Sequence, residues 1–204
     1  DAVGTIRNDD RSGRLNPLSP SAAILFASDR HDPDGPMEVY SMSIDGSNLT
    51  RITVTGDHHF LFGTDPTRRY MVVSKSVQDT SGDGKLGDAD RRSLWAVDFE
   101  TTQEIRLTDQ ADDAEGDSFS PDGEWIVFLM TKSGDATSDL YKIRRDGSGL
   151  TRLTNTPLAV EADPAWSHDG RSISFSYLDG SVPRFVLKRM DPDEIGRASC
   201  RERV

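Results

Sequence analysis

The sequence predicts an all-β chain of four-stranded antiparallel blades, a β-propeller, on three observations. Trp166-Ser167-His168-Asp169-Gly170 echoes Phe119-Ser120-Pro121-Asp122-Gly123, with weaker echoes at Phe62 and Leu18. A second box recurs in phase with the first: Asn48-Leu49-Thr50-Arg51-Ile52-Thr53, Gln103-Glu104-Ile105-Arg106-Leu107-Thr108 and Gly149-Leu150-Thr151-Arg152-Leu153-Thr154. Successive first boxes start 44, 57 and 47 residues apart. Repeats of about 40–50 residues built from short strands have the period of one blade.

The third repeat shows the elements in order. Phe119-Ser120 ends an inner strand, and Pro121-Asp122-Gly123 is a tight turn in which Pro presets φ and Gly supplies positive φ. Trp125–Met130 is a second strand, apolar at nearly every position, as a strand covered on both faces requires. Ser133-Gly134-Asp135 breaks it. Asp139–Arg144 alternates polar and apolar and reads as a third strand. Asp146-Gly147 is a hairpin turn, and Leu150–Thr154 is the outer strand. The second strands of the other repeats are Ala23–Ala27, Tyr70–Ser74 and Ser172–Ser176, and the third strands are Glu38–Met42, Ser93–Val97 and Arg184–Lys188. The blades span about 18–56, 57–110, 111–156 and 157–191, after an N-terminal extension 1–17. Three are expected whole. The fourth is expected without its outer strand, because 194–204 carries no repeat pattern and looks like a translated sequencing adapter. That tail holds Cys200, the only cysteine, so disulfides and cysteine metal sites are not expected in the repeats.

The chain has 204 residues, 34% hydrophobic content and a net charge of −11. That acidic balance disfavours nucleic acid and anionic lipid as partners. No apolar run reaches the roughly 18–20 residues of a membrane span.

An aromatic before Ser-Pro-Asp-Gly, an Ile-x-Phe strand, a Tyr in strand three and Asp-Gly-Ser-x-Leu-Thr-Arg-Leu-Thr together resemble the TolB-type, WD-repeat-like β-propeller over about residues 18–191. Repeat two departs, with Asp65-Pro66-Thr67-Arg68 at its turn and a long insertion. Propellers of this family close with six or more blades, so the chain resembles a fragment, and the remaining blades of the parent propeller are expected partners.

The insertion in blade two, Asp79-Thr80-Ser81-Gly82-Asp83-Gly84-Lys85-Leu86-Gly87-Asp88-Ala89-Asp90, has the spacing of a twelve-residue calcium loop. Asp79, Ser81 and Asp83 take positions 1, 3 and 5, and Gly84 makes the turn at position 6. Lys85 would offer its carbonyl, Leu86 would pin the loop to the body, and Asp90 would close it. Hard Ca²⁺ takes six to eight oxygens, which this segment can supply. Position 12 is Asp rather than Glu and the flanks are strands, so a structural ion is expected and no switch. Asp29–Gly35 has carboxylates without the spacing and reads as a plain loop.

Acidic segments enter the inner strands: Asp57, His58 and His59; Asp112, Asp113 and Glu115; Glu161 and Asp163. In a propeller they would gather near the axis as a polar rim. Trp95, Trp125 and Trp166 are expected in the blade cores. No nucleophile elbow, zinc-helix motif or phosphate loop is present. The expected function is a non-catalytic TolB-like binding module of the bacterial periplasm or cell envelope, holding a protein or peptide at a propeller face. The alternative is the propeller part of a serine peptidase resembling the prolyl oligopeptidase or tricorn families.

Overall fold

The structure is a computed structural model, and its described residues are 14–15, 24–179 and 184–193. The N-terminal extension, the Leu18 echo and the 194–204 tail fall mainly or wholly outside them. Sixteen strands and no helix occur among the described residues. They are β1 (Arg14–Leu15), β2 (Ile24–Ser28), β3 (Glu38–Met42), β4 (Thr50–Arg51), β5 (Thr53–Val54), β6 (His58–Thr64), β7 (Tyr70–Ser76), β8 (Ser93–Asp98), β9 (Gln103–Arg106), β10 (Asp113–Phe119), β11 (Trp125–Thr131), β12 (Asp139–Arg144), β13 (Thr151–Arg152), β14 (Val160–Trp166), β15 (Ile173–Leu178) and β16 (Val186–Met190).

Four antiparallel sheets follow in chain order: β2-β3-β4, β6-β7-β8-β9, β10-β11-β12-β13 and β14-β15-β16. A short β1–β5 ladder forms a separate two-stranded sheet. The second and third blades are complete. Blade one, expected whole, shows three strands, because the place of its inner strand lies outside the described residues. Blade four shows three strands among the described residues, and its third begins at Val186 rather than Arg184. Its register sets Met190 opposite Ile173, and both are buried against blade three. Each described inner strand packs on the preceding blade, and among the described residues the first and fourth sheets do not close on each other, so the stack is an open arc.

The apolar second strands have the predicted cause. Met71 and Val73 of β7 face blade one with Val39 and Ile52, whereas Val72 faces blade three. Ile126, Phe128 and Met130 of β11 face blade two, and Val127 and Leu129 face blade four. A strand alternates its side chains between two faces, so cover on both faces demands apolar residues at every position. Gly116 lies flush in this packing. A Cβ there would meet Leu94 Cδ1 at 2.5 Å and Val72 Cγ2 at 3.0 Å.

The three turns after the inner strands share one construction. Ser120 Oγ accepts from Trp125 N–H at 2.9 Å, Asp122 accepts from Glu124 N–H at 2.9 Å, and Gly123 has φ +72°. Ser167, Asp169 and Gly170 repeat the arrangement. In blade two the roles change hands. Asp65 takes the serine place and accepts from Tyr70 N–H at 2.7 Å, Thr67 takes the aspartate place, and Arg68 holds the glycine place with φ +59°. The departure seen in the sequence is therefore the same turn with other side chains. A left-handed non-glycine residue costs about 1–2 kcal/mol, offset in part by glycine's larger entropy loss. Arg68→Gly is expected to stabilise the chain by about 0.5–1 kcal/mol, read as a higher melting temperature. A lower one would mean that the Arg68 side chain contributes more than its backbone strain costs.

Candidate functional site

Antiparallel pairing puts the start of β6, the end of β7 and the start of β8 at one end of blade two. The 77–92 insertion and the entry residues 57–59 therefore share that end. Within the insertion, Asp79 accepts from Gly84 N–H at 2.7 Å and Gly82 N–H at 2.6 Å, and Ser81 Oγ lies 3.2 Å from its carboxylate. Asp90 is 3% exposed and accepts from Thr80, Ser81 and Gly87 N–H at 2.7, 2.9 and 3.0 Å. Asp83 accepts from Lys85 N–H at 2.9 Å. Gly82 and Gly84 have φ +80° and +84°. Leu86 is half-buried. The N–H bonds from Gly84 and Gly82 hold the Asp79 carboxyl below its ordinary range. Burial alone would raise Asp90, but three N–H donors outweigh it and hold it low.

These carboxylates face the loop's own N–H groups, and no three His, Cys, Asp or Glu side chains converge on a common point among the described residues. The donor set is hard oxygen throughout, and Asp79, Ser81 and Asp90 are tied to one short stretch. That chemistry fits a calcium-type ion and does not fit a soft metal.

The entry residues are engaged mostly within or between blades. Lys75 is 1% exposed, and its Nζ lies 2.8 Å from Glu104, 3.4 Å from Asp57 and 4.0 Å above the Trp95 ring. His58 Nδ1 accepts from Met37 N–H of blade one at 3.3 Å, and its Nε2 is 3.0 Å from Asp88 Oδ1, off the line of an ideal hydrogen bond. Asp112 binds Lys132 at 2.7 Å, and Arg92 takes both Asp113 and Glu115. Glu161 is 3% exposed, and Asp163 is exposed at a bulge with φ +51°. Of the tryptophans, Trp95 and Trp166 pack against inter-blade cores. Trp125 instead lies half-buried beneath Lys142 and Arg144, because its register partner is Arg144 at the blade rim.

A recurring polar node went unread in the sequence. Thr53, Thr108 and Thr154 of the second box each accept, at 2.8 Å, an N–H from the second residue of strand three: Val39, Leu94 and Leu140. The residue before that one is Glu38, Ser93 or Asp139. At the first junction it meets His59 of the next blade's inner strand, and at the third its charge acts on Glu161 of that strand. At the first junction Glu38 takes Arg51 at 3.0 Å, Thr53 Oγ1, and the N–H groups of Thr55 and Gly56 at 3.1 and 3.0 Å, with His59 Nδ1 3.3 Å away. Burial pushes His59 down despite Glu38. Its Nδ1 sits 2.8 Å from the Asp57 carbonyl, which assigns the proton to Nδ1. The clue in the sequence was the recurrence of one Thr in every second box.

At the third junction Asp139 holds Arg152, while Glu161 receives Thr154 Oγ1 at 2.6 Å, Thr156 Oγ1 at 3.0 Å and Leu140 N–H at 3.2 Å. Burial, and then the Asp139 charge, raise the Glu161 carboxyl above its ordinary value despite those bonds. The folded chain therefore binds this proton more tightly than the unfolded chain. The resulting stability is present in full below the unfolded pKa and is lost as pH rises through the folded one. Glu161→Gln is expected to melt above the native chain at pH 7, with the gap closing toward pH 4. A gap independent of pH would exclude the carboxyl as its source.

No family model matches the sequence. A peptidase of uncharacterized function from Bacillus subtilis, YuxL, is 28% identical over 130 residues, 64% of this chain and 18% of that protein. The Tol-Pal system protein TolB of Anaeromyxobacter dehalogenans is 40% identical over 76 residues, 37% of this chain and 17% of that protein. The chain thus spans less than a fifth of each. Among solved structures, a TolB-type protein from Agrobacterium tumefaciens aligns with TM-score 0.64 at 21% identity, over 84% of this chain and 59% of that one. TolB from Acinetobacter baumannii aligns with TM-score 0.60 at 17% identity, over 90% and 40%. The fold of the described residues is that of the TolB-like β-propeller.

Proposed function

We propose that this chain is a segment of a non-catalytic TolB-like propeller that binds a protein partner at one face in the bacterial cell envelope. The observation that carries the reading is the open stack of blades, which aligns with TolB over 90% of its length. The periplasm is the proposed location, and the Tol-Pal system is the proposed setting, since a 40% identical segment belongs to a protein of that name. The test is titration of the whole parent protein with a purified Pal partner, run beside peptide and ester turnover assays. Saturable binding without turnover is expected. Turnover that disappears on mutating one Ser or His would establish the second reading, a peptidase propeller, which the likeness to YuxL favours.

The second blade is proposed to bind one structural Ca²⁺ through Asp79, Ser81, Asp83, the Lys85 carbonyl and Asp90. The ion would supply the countercharge that three carboxylates in one loop lack, and it would tie β7 to β8. With an affinity of roughly 10⁻⁴–10⁻³ M, 10 mM Ca²⁺ is expected to stabilise the chain by about 1.4–2.7 kcal/mol by mass action. The native chain should melt higher with Ca²⁺ than with a chelator, and the Asp79→Ala, Asp83→Ala double variant should not. An equal rise in both would place the ion elsewhere.

A further inference from the structure

The polar node carries unlike charges at its first and third junctions. Beside the Glu38 carboxylate stands the His59 ring, 3.3 Å away. At the third junction Glu161, likewise the second residue of its inner strand, shares the node with Asp139, and the two are 3% and 2% exposed. Two hydroxyls bridge them. Thr154 Oγ1 lies 2.6 Å from Glu161 Oε2 and 3.3 Å from Asp139 Oδ1. Thr156 Oγ1 lies 3.0 Å from Glu161 Oε1 and 3.3 Å from Asp139 Oδ1. Asp139 has Arg152 and the Thr156 N–H, the latter at 2.9 Å. Glu161 has the Leu140 N–H at 3.2 Å, and among the described residues no cation pairs with it. The other charged groups nearby are engaged or exposed. On β10, Asp113 and Glu115 are held by Arg92 of blade two, and β11 carries no titratable side chain. On β12, Lys142 turns to Asp193, Arg144 lies over Trp125, and Tyr141 belongs to the core on the blade-two side. Asp163 and Asp179 are exposed, and Tyr177, opposite Glu161 in register, lies under Lys188.

We infer that the Asp139–Glu161 pair is a proton-operated joint, which closes blade four onto blade three when it holds one proton and loosens that contact when it holds none. With the proton on Glu161, its O–H donates to a threonine hydroxyl, whose own hydrogen turns to Asp139. Once that proton leaves to water, two like charges share one buried node. Desolvation and repulsion then both favour an opened joint in which water reaches the carboxylates. Burial and the Asp139 charge hold the Glu161 carboxyl above its ordinary range. The closed joint therefore binds the proton more tightly than the open one. Closure is complete in acid and is lost as pH rises through the closed-state value. Neither the partner nor the calcium loop enters this inference.

The test is amide hydrogen exchange on the full chain from about pH 4 to about pH 8, read by NMR and corrected for intrinsic exchange rates. Two N–H groups report the joint: Leu140, which reaches Thr154 Oγ1 at 2.8 Å, and Trp166, which reaches Ser118 Oγ of blade three at 3.1 Å. Gly116 N–H, which reaches Ser74 Oγ of blade two at 3.2 Å, reports the preceding joint. Protection at Leu140 and Trp166 is expected to fall by at least about tenfold across that range. One linked proton changes the opening equilibrium about tenfold per pH unit between the open-state and closed-state values. Gly116 should stay level, and Glu161→Gln should hold all three level. A flat profile at Leu140 and Trp166 in the native chain overturns the inference. So does a fall shared by Gly116, which would be a change of the whole fold, or a fall that survives in Glu161→Gln. Where that variant does not fold, the carbon-13 shift of the Glu161 carboxyl in the native chain decides. Ionisation over the pH span in which protection falls supports the joint, and ionisation outside that span overturns it.

Discussion

Glu38→Ala is expected to cost about 3–5 kcal/mol, the range for removing one member of a buried charged pair. Glu38 is 0% exposed and satisfies four donors: Arg51, Thr53 Oγ1 and the N–H groups of Thr55 and Gly56. Truncation takes the Glu38 carboxylate from Arg51 and leaves two N–H groups without their acceptor, a desolvation penalty for each. It also removes the carboxylate beside the buried His59 ring, 3.3 Å away. Ser93→Ala, at the corresponding place in blade two, is expected to cost about 1 kcal/mol, since its Oγ meets only neutral partners, Gln110, Trp95 and the Lys75 carbonyl. Chemical denaturation of the two variants beside the native chain measures both. If Glu38→Ala falls within 1 kcal/mol of native, the node is not a main tie between the first two blades.

Phe128→Ala is expected to cost about 3–5 kcal/mol, from lost apolar transfer and the cavity left behind. Phe128 is 0% exposed, sits in the largest inter-blade core and meets the Tyr141 ring at 5.9 Å. Phe26 occupies the same register slot in blade one, paired with Tyr40 as Phe128 is with Tyr141. It is only half-buried, so Phe26→Ala should cost clearly less, about 1–2 kcal/mol at partial burial. Melting both variants checks the burial argument, because chemistry and register are held constant. Equal losses would mean that Phe26 is covered as fully as its counterpart.

Much of the architecture was readable because blades repeat. Each Asp-Gly or Pro-Asp-Gly turn specifies its own backbone, and Trp125–Met130 is apolar at every position because both faces are covered. Local chemistry likewise marked Asp79–Asp90 as a loop, and its Gly84 is left-handed, with φ +84°. The Asp65–Arg68 turn was harder. Its motif is missing from the letters, yet the backbone hydrogen bonds rebuild it with Asp65 for serine and Arg68 for glycine.

The sequence by itself determined the blade period, the antiparallel strands, the turns and the oxygen-rich loop, because each depends on residues close along the chain. Only the tertiary structure decided that Glu38 meets His59, that Asp139 meets Glu161, and that Lys75 is buried beneath Glu104 and Trp95. It alone set Thr64 at the register position that Phe119 and Trp166 hold in the later blades. The physical reason is that neighbouring blades press unlike faces together. Which polar groups become buried partners, and where a small residue leaves space, depends on the register of strands that lie far apart in the chain.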